Sequence, residues 1–220
     1  MRYYLSSFEL GSAAHELRAL APSGAIAYIP NARDFSRMDV AANRERSKSD
    51  MAALEALSLQ VSLLDLREHF GDRIGLAEKV GRIGAVFVSG GNTFILRQAM
   101  RISGLDEILQ GFREKDDFLY AGYSAAACVL APRLDGYELV DPVEAPYPQH
   151  RDVIWEGLGH VDFRVVPHWR SHHPESAAVE TVIDYFQRND IPCWPIRDGE
   201  ALLSDRLPRF AVVGSASGRQ

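Results

Sequence analysis

Ser124 follows the apolar stretch 118–121 and precedes a run of three alanines, in the order Gly122-Tyr123-Ser124-Ala125-Ala126-Ala127. Four apolar residues make a short buried strand, Gly122 opens a tight turn, and the alanines start a helix with almost nothing projecting from it. A serine held on such a turn stands clear of the sheet, and the Ala125 amide at a helix N-terminus faces the same side. Nucleophile and oxyanion donor then come together. The same pattern also serves as a plain strand-to-helix connection with serine as the cap, so the turn alone does not choose between chemistry and architecture.

Other strand ends supply what a nucleophilic serine needs. Gly90-Gly91-Asn92 follows the apolar run 84–88, His168 follows 163–166, and Asp198-Gly199 closes the element after 191–196. With these strands parallel, hydroxyl, imidazole and carboxylate meet at one sheet edge as a relay for acyl transfer. Adjacent glycines let backbone amides approach a carbonyl oxygen with no Cβ in the way, although Gly90-Gly91 and Asp198-Gly199 also read as ordinary turns.

The elements that position these residues alternate. Residues 3–8, 25–29, 61–66 and 84–88 read as strands; 12–20 and the stripe Met51, Leu54, Leu57 read as helices, with a polar segment over 34–49. Ser103-Gly104-Leu105-Asp106 has the form of a capping box, followed by Leu105, Ile108, Leu109 and Phe112 on one helical face. Residues 132–159, with four prolines, suit surface loops or a short antiparallel ribbon. A helix then begins at Pro174, with Val179, Val182, Ile183 and Phe186 on one face, and a last strand spans 210–213. Such alternation predicts an α/β fold, a three-layer sandwich around a mostly parallel sheet with ligand sites at the carboxyl ends of the strands.

At 220 residues the chain fits one domain over 1–220, with 214–220 a short polar tail. Hydrophobic residues at 46% and charged residues at 25% suit a folded domain, and no apolar run approaches the roughly 20 residues that span a bilayer. A net charge of −6 without a basic block argues against a nucleic-acid surface. Cys128 and Cys193 lie in apolar settings as expected free thiols, and the first residues lack the pattern of a secretory signal, so a cytoplasmic location is expected.

Gly90-Gly91-Asn92-Thr93-Phe94, Gly122-Tyr123-Ser124-Ala125 and Pro167-His168, in that order and spacing, resemble the aspartyl dipeptidase (peptidase E) and cyanophycinase family of serine peptidases, whose fold is similar to class I glutamine amidotransferases. The resemblance runs from the first strand to Asp198-Gly199. It implies Ser124 as nucleophile, His168 as general base, and amides of Gly90 or Gly91 and of Ala125 as the oxyanion hole. It also implies an acidic residue before a glycine as the third member, which Asp198 matches, with Asp135 as the alternative. The substrate it implies is a short peptide with an N-terminal aspartate; no cofactor is required, and a homodimer is one state left open.

Two departures stand out. The family's elbow reads Gly-x-Ser-Ala-Gly, and here its last position is Ala126. The segment after the base, Trp169 to Glu175, also differs, which leaves specificity open to another amide or ester, or to binding without turnover. Asn92, Arg170, His172 and His173 are candidate pocket residues, the basic ones as partners for a substrate carboxylate. His168, His172, His173 and Glu175 have ligand chemistry, but Pro174 interrupts the helical spacing and no second cluster completes a site, so no metal is expected.

Overall fold

The computed structural model describes residues 1–34, 40–205 and 209–215. Parts of two sequence expectations, the segment 34–49 at 35–39 and the tail beyond Ser215, lie outside these residues. The chain runs β1 (Arg2–Ser6), α1 (Ala14–Leu20), β2 (Ala25–Ile29), α2 (Val40–Ala56), β3 (Gln60–Leu63), α3 (Arg73–Ile83), β4 (Ala85–Val88), α4 (Thr93–Ser103), α5 (Leu105–Phe112), β5 (Leu119–Tyr123) and α6 (Ala125–Cys128). After a long irregular stretch come β6 (Arg164–Val166), α7 (Ser176–Arg188), β7 (Cys193–Pro195), β8 (Ala201–Ser204) and β9 (Ala211–Val213).

Seven strands form the main sheet in the order β3-β2-β4-β5-β1-β8-β9, with β5 at its centre. The first five of these are parallel, while β8 and β9 join antiparallel beyond β1. Side chains alternate between the two faces, as the strand period requires. Tyr3, Leu5, Val86, Val88 and Tyr120 pack with Leu76, Val80, Ile95, Leu96, Leu105 and Leu109 under α3, α4 and α5. Tyr4, Ile26, Tyr28, Phe87 and Tyr123 pack with Leu17, Leu20 and Leu54 of α1 and α2 on the other face. The result is the expected three-layer α/β arrangement. A third cluster, Phe94, Cys128, Tyr137, Val166, Val179, Val182 and Phe186, seats α7 and β6.

Several local expectations are corrected. The 163–166 strand is not part of the main sheet: among the described residues β6 pairs with β7, in a separate two-stranded parallel sheet. The third strand ends at Leu63, and the chain turns into a short 3-10 helix, Leu66–His69, whose start Asp65 caps by accepting the Arg67 N–H. No capping box forms at Ser103. Gly104, at φ 78°, closes α4 in the left-handed conformation, and Asp106 instead pairs with the buried guanidinium of Arg97 at 3.0 Å. Residues 132–159 are mostly irregular, with one 3-10 turn (Tyr137–Leu139) and an antiparallel bridge between Arg133 and Glu156.

Gly122 does not open the turn; it is the fourth residue of β5, at φ 158°. A Cβ there would lie 2.3 Å from the Val88 carbonyl oxygen and 2.6 Å from the Ala126 Cβ, so the missing methyl lets β5 run against β4 and the elbow helix at once. Gly122→Ala should therefore lower stability by about 2–4 kcal/mol, read as a lower urea midpoint with an unchanged m-value. A midpoint equal to that of the unmodified chain would contradict the close approach.

Candidate active site

The turn after β5 is built on a strained residue. Ser124 has φ 50° and ψ −111°, a conformation rarely taken by a residue with a side chain. It is tied on both sides: its N–H donates to the Ser6 carbonyl at 3.2 Å, and its own carbonyl accepts from the N–H groups of Ala127 and Cys128. Ala126 is fully buried, its methyl sits in the space left by Gly122, and its carbonyl accepts the Tyr120 hydroxyl at 2.9 Å. The alanine that departs from Gly-x-Ser-Ala-Gly is thus accommodated inside the elbow.

His168 reaches this turn from the end of β6. Its Nε2 lies 3.2 Å from Ser124 Oγ and its Nδ1 lies 2.8 Å from Asp198 Oδ1, with the side chain only 2% exposed. The ring is held edge-on by Phe8 and stacked on His173, with centroids 3.7 Å apart and planes 12° apart. Burial alone would raise the Asp198 carboxyl, but hydrogen bonds from His168 and Ser7 and the charge of His168 outweigh it and hold the group below its ordinary range. An ionised carboxylate behind an imidazole behind a hydroxyl can move a proton off the serine and stabilise the resulting cation.

Ser124 opens into a cavity of about 270 Å³ that Gly90, Gly91, Arg46, Asp141, His173 and Glu175 also line. A Cβ on Gly90 would fall 2.4 Å from the Tyr123 ring, and one on Gly91 would fall 2.3 Å from the Ala32 carbonyl, so both positions exclude a side chain. Among the described residues no acceptor takes the amides of Gly90, Gly91 or Ala125. Arg33, which also lines the cavity, is committed to Asp50 at 2.8 Å and to Tyr28 and Tyr123. Arg46, by contrast, forms no ion pair among the described residues. Burial pushes the Asp141 carboxyl up to about 6, against the Thr93 hydrogen bonds that lower it, and burial likewise raises Glu175. Burial, the neighbouring His168 and the charge of Arg46 push His173 down to about 4, so at neutral pH it is an uncharged wall.

The remaining candidates fall elsewhere. Asp135 sits with Arg133 at 2.6 Å and Arg164 at 3.7 Å, and has no contact with His168. Asn92 caps α4, accepting from Phe94 and Ile95 and donating to the Pro142 carbonyl, and does not line the Ser124 cavity. Arg170 and His172 line a neighbouring cavity with Arg197, where both guanidinium groups flank Trp169. His168, His173 and Glu175 bring their ligand atoms within 4.8 Å of one another, but both nitrogens of His168 already face Ser124 and Asp198. Cys128 is buried in the third core cluster, where burial raises its thiol well above the ordinary range. Sequence reasoning passed over Ser7, Arg46 and Asp141. Val140-Asp141-Pro142, an acid between an apolar residue and a proline, is the one signal that set Asp141 apart from a solvated loop.

A strained serine between a central strand and a short helix, with an imidazole on its hydroxyl and a carboxylate on the imidazole, is the arrangement of a serine hydrolase on an α/β scaffold. Residues 7–206 match the model of peptidase family S51, and the chain belongs to that family. It is similar to the uncharacterized peptidase PM1590 of Pasteurella multocida, 32% identical over 128 residues, which are 58% of this chain and 59% of that protein. It is also 32% identical over 123 residues to peptidase E of Streptomyces coelicolor, covering 54% of this chain and 47% of that one. Among solved structures it resembles a candidate peptidase E of Listeria monocytogenes EGD-e, with a TM-score of 0.76 at 22% identity over 98% of both chains. A peptidase from an acI-B1 actinobacterium follows, with a TM-score of 0.69 at 19% identity, over 98% of this chain and 88% of that one.

The raised Asp141 carboxyl makes a stability prediction with a definite sign. Its value of about 6 lies above the ordinary 3.8, so between these limits the folded chain binds the extra proton and stability falls as pH rises. Asp141→Asn keeps an acceptor for Thr93 but removes that loss. Its stability relative to the unmodified chain should grow from pH 4 to pH 7 by up to about 3 kcal/mol, measured by urea unfolding. A pH-independent difference would contradict it.

Proposed function

We propose that the chain is a serine peptidase that releases an N-terminal residue, aspartate by preference, from short peptides through an acyl-enzyme on Ser124. The observation that carries this reading is the unbroken contact chain from Asp198 through His168 to Ser124 Oγ at the mouth of a cavity floored by Gly90 and Gly91. His168 Nε2 takes the Ser124 proton as Oγ attacks the peptide carbonyl carbon. Amides of Gly91 or Gly90 and of Ala125 hold the oxyanion, a contribution worth about 3 kcal/mol per donor. His168 then gives the proton to the leaving nitrogen as the C–N bond breaks, and a water activated by the same imidazole cleaves the ester.

The charges around the cavity support a substrate with a free N-terminus and an acidic side chain. Asp141 and Glu175 face a position suited to an α-ammonium group, and Arg46 is the cation on the opposing helix that lacks an internal partner among the described residues. The free thiols of Cys128 and Cys193 are in keeping with a cytoplasmic setting, and no helix among the described residues is long and apolar enough to cross a membrane.

The test is release of free aspartate from a panel of Asp-x dipeptides. Ser124→Ala and His168→Ala should abolish it, and Asp198→Asn should lower kcat by about 10³- to 10⁴-fold. Arg46→Gln should raise KM for Asp-x by about tenfold while leaving Ala-x peptides unchanged. An unmodified chain silent on every Asp-x peptide contradicts the aspartyl preference and moves the search to other amides and esters.

A further inference from the structure

Ser7 stands one residue beyond β1 at the carboxyl edge of the sheet, and its side chain is fully buried. Its Oγ accepts the backbone N–H of His168 at 2.8 Å and lies 2.7 Å from Asp198 Oδ1. The Ile196 carbonyl, a second acceptor in reach, is 3.4 Å away. A hydroxyl has one proton. With a lone pair taken by His168, that proton goes to the nearer and charged acceptor, Asp198 Oδ1, the same oxygen that meets His168 Nδ1.

We propose that Ser7 is a positioning residue for the reaction, locking the backbone of the base to the carboxylate that orients it. The inference rests on the reading of Ser124, His168 and Asp198 as an acyl-transfer relay. His168 is a non-glycine residue at φ 62°, and the Ser7 hydroxyl is the acceptor that satisfies its amide in that strained conformation. The donated proton also spreads the charge on Asp198 Oδ1, which moderates how tightly the carboxylate holds the imidazolium. The backbone beside it serves the same centre. Ser6 O accepts the Ser124 N–H, and Ser7 N–H donates to the Glu200 carbonyl just past the Asp198 turn. One end of β1 thus touches nucleophile, base and acid.

Ser7→Ala removes the hydroxyl without altering the other groups that face His168, which are Ser124, the stacked His173, and the carboxyl groups of Glu175 and Asp141. Kinetics on the best peptide, the pH profile of kcat/KM, and the low-field proton resonance bridging His168 Nδ1 and Asp198, assigned by its loss in His168→Gln, are measured together. In Ser7→Ala, kcat should fall by about tenfold or more with KM within about twofold. The acid limb of the profile should move to higher pH and the bridging proton to lower field, because Asp198 becomes the stronger acceptor. Ser7→Thr, which keeps the hydroxyl, should restore all three, and Ser7→Cys, a weak donor of similar size, should show the alanine effects in reduced form.

Unchanged kcat, limb and resonance in Ser7→Ala overturn the proposal, as does a loss of kcat with limb and resonance in place. Should Ser7→Ala fail to fold, the same shifts in Ser7→Cys decide the matter, and their absence overturns it. The resonance needs no turnover. A chain inert on every peptide whose bridging proton still responds to Ser7 sinks the peptidase reading alone, whereas Ser124-dependent cleavage untouched by Ser7→Ala sinks the positioning role alone.

Discussion

The backbone of Ser124 at φ 50° and ψ −111° is the constraint on which the rest depends. A residue with a side chain in such a conformation costs on the order of 1–3 kcal/mol, and it persists only where its surroundings leave no alternative. Here β5 is the central strand, hydrogen-bonded to β1 and β4 along its length, so the chain arrives at Tyr123 with no freedom of register. Beyond the turn, Ala125, Ala126 and Ala127 are buried at once and fix the outgoing direction. Ala126 is the tightest of the three, its methyl lying 2.6 Å from where a Cβ on Gly122 would stand.

The imidazole and the carboxylate come from a different part of the molecule. His168 and Asp198 follow β6 and β7, the two strands of a separate small sheet backed by α7. Val165 of β6 and Ile196 just past β7 belong to the main core cluster, and Phe94 of α4 and Cys128 of α6 join the third, so it is this shared packing that holds imidazole and hydroxyl in register. The stacked His173 and the edge of Phe8 fix the plane of the imidazole, and the end of β1 fixes its distance. Burial completes the arrangement by keeping His173 neutral, so that the ring stacked on the imidazole brings no positive charge to it.

Much of this was legible in the sequence because it is local. Gly90-Gly91, the Ser124 turn and Asp198-Gly199 each announce themselves within a few residues, and the alternation of apolar runs and helical stripes implied the layered sheet. The rest depends on contacts that no local pattern carries. Ser7 is an unremarkable polar residue until β1 pairs with β5 and brings it 2.8 Å from a backbone amide 161 positions away. The charge of Asp135 gave no hint that Arg133 and Arg164 would claim it. Asn92, a candidate pocket residue from its place after Gly90-Gly91, is the N-cap of α4, and the cap takes its side-chain oxygen. α3 escaped notice because Gly75 and Gly81 interrupt its apolar stripe, and β8 because four residues joined antiparallel to β1 have no strand-helix rhythm to betray them.

The account stands on Ser124 and His168 acting as one unit, and covalent capture tests that directly. The chain is incubated with a serine-reactive phosphonate and the adduct is located by peptide mapping and mass spectrometry. The account predicts a single adduct on Ser124 that is lost in His168→Ala while the fold is retained. An unlabelled Ser124, an adduct on another residue, or labelling that proceeds equally well without the imidazole would contradict it.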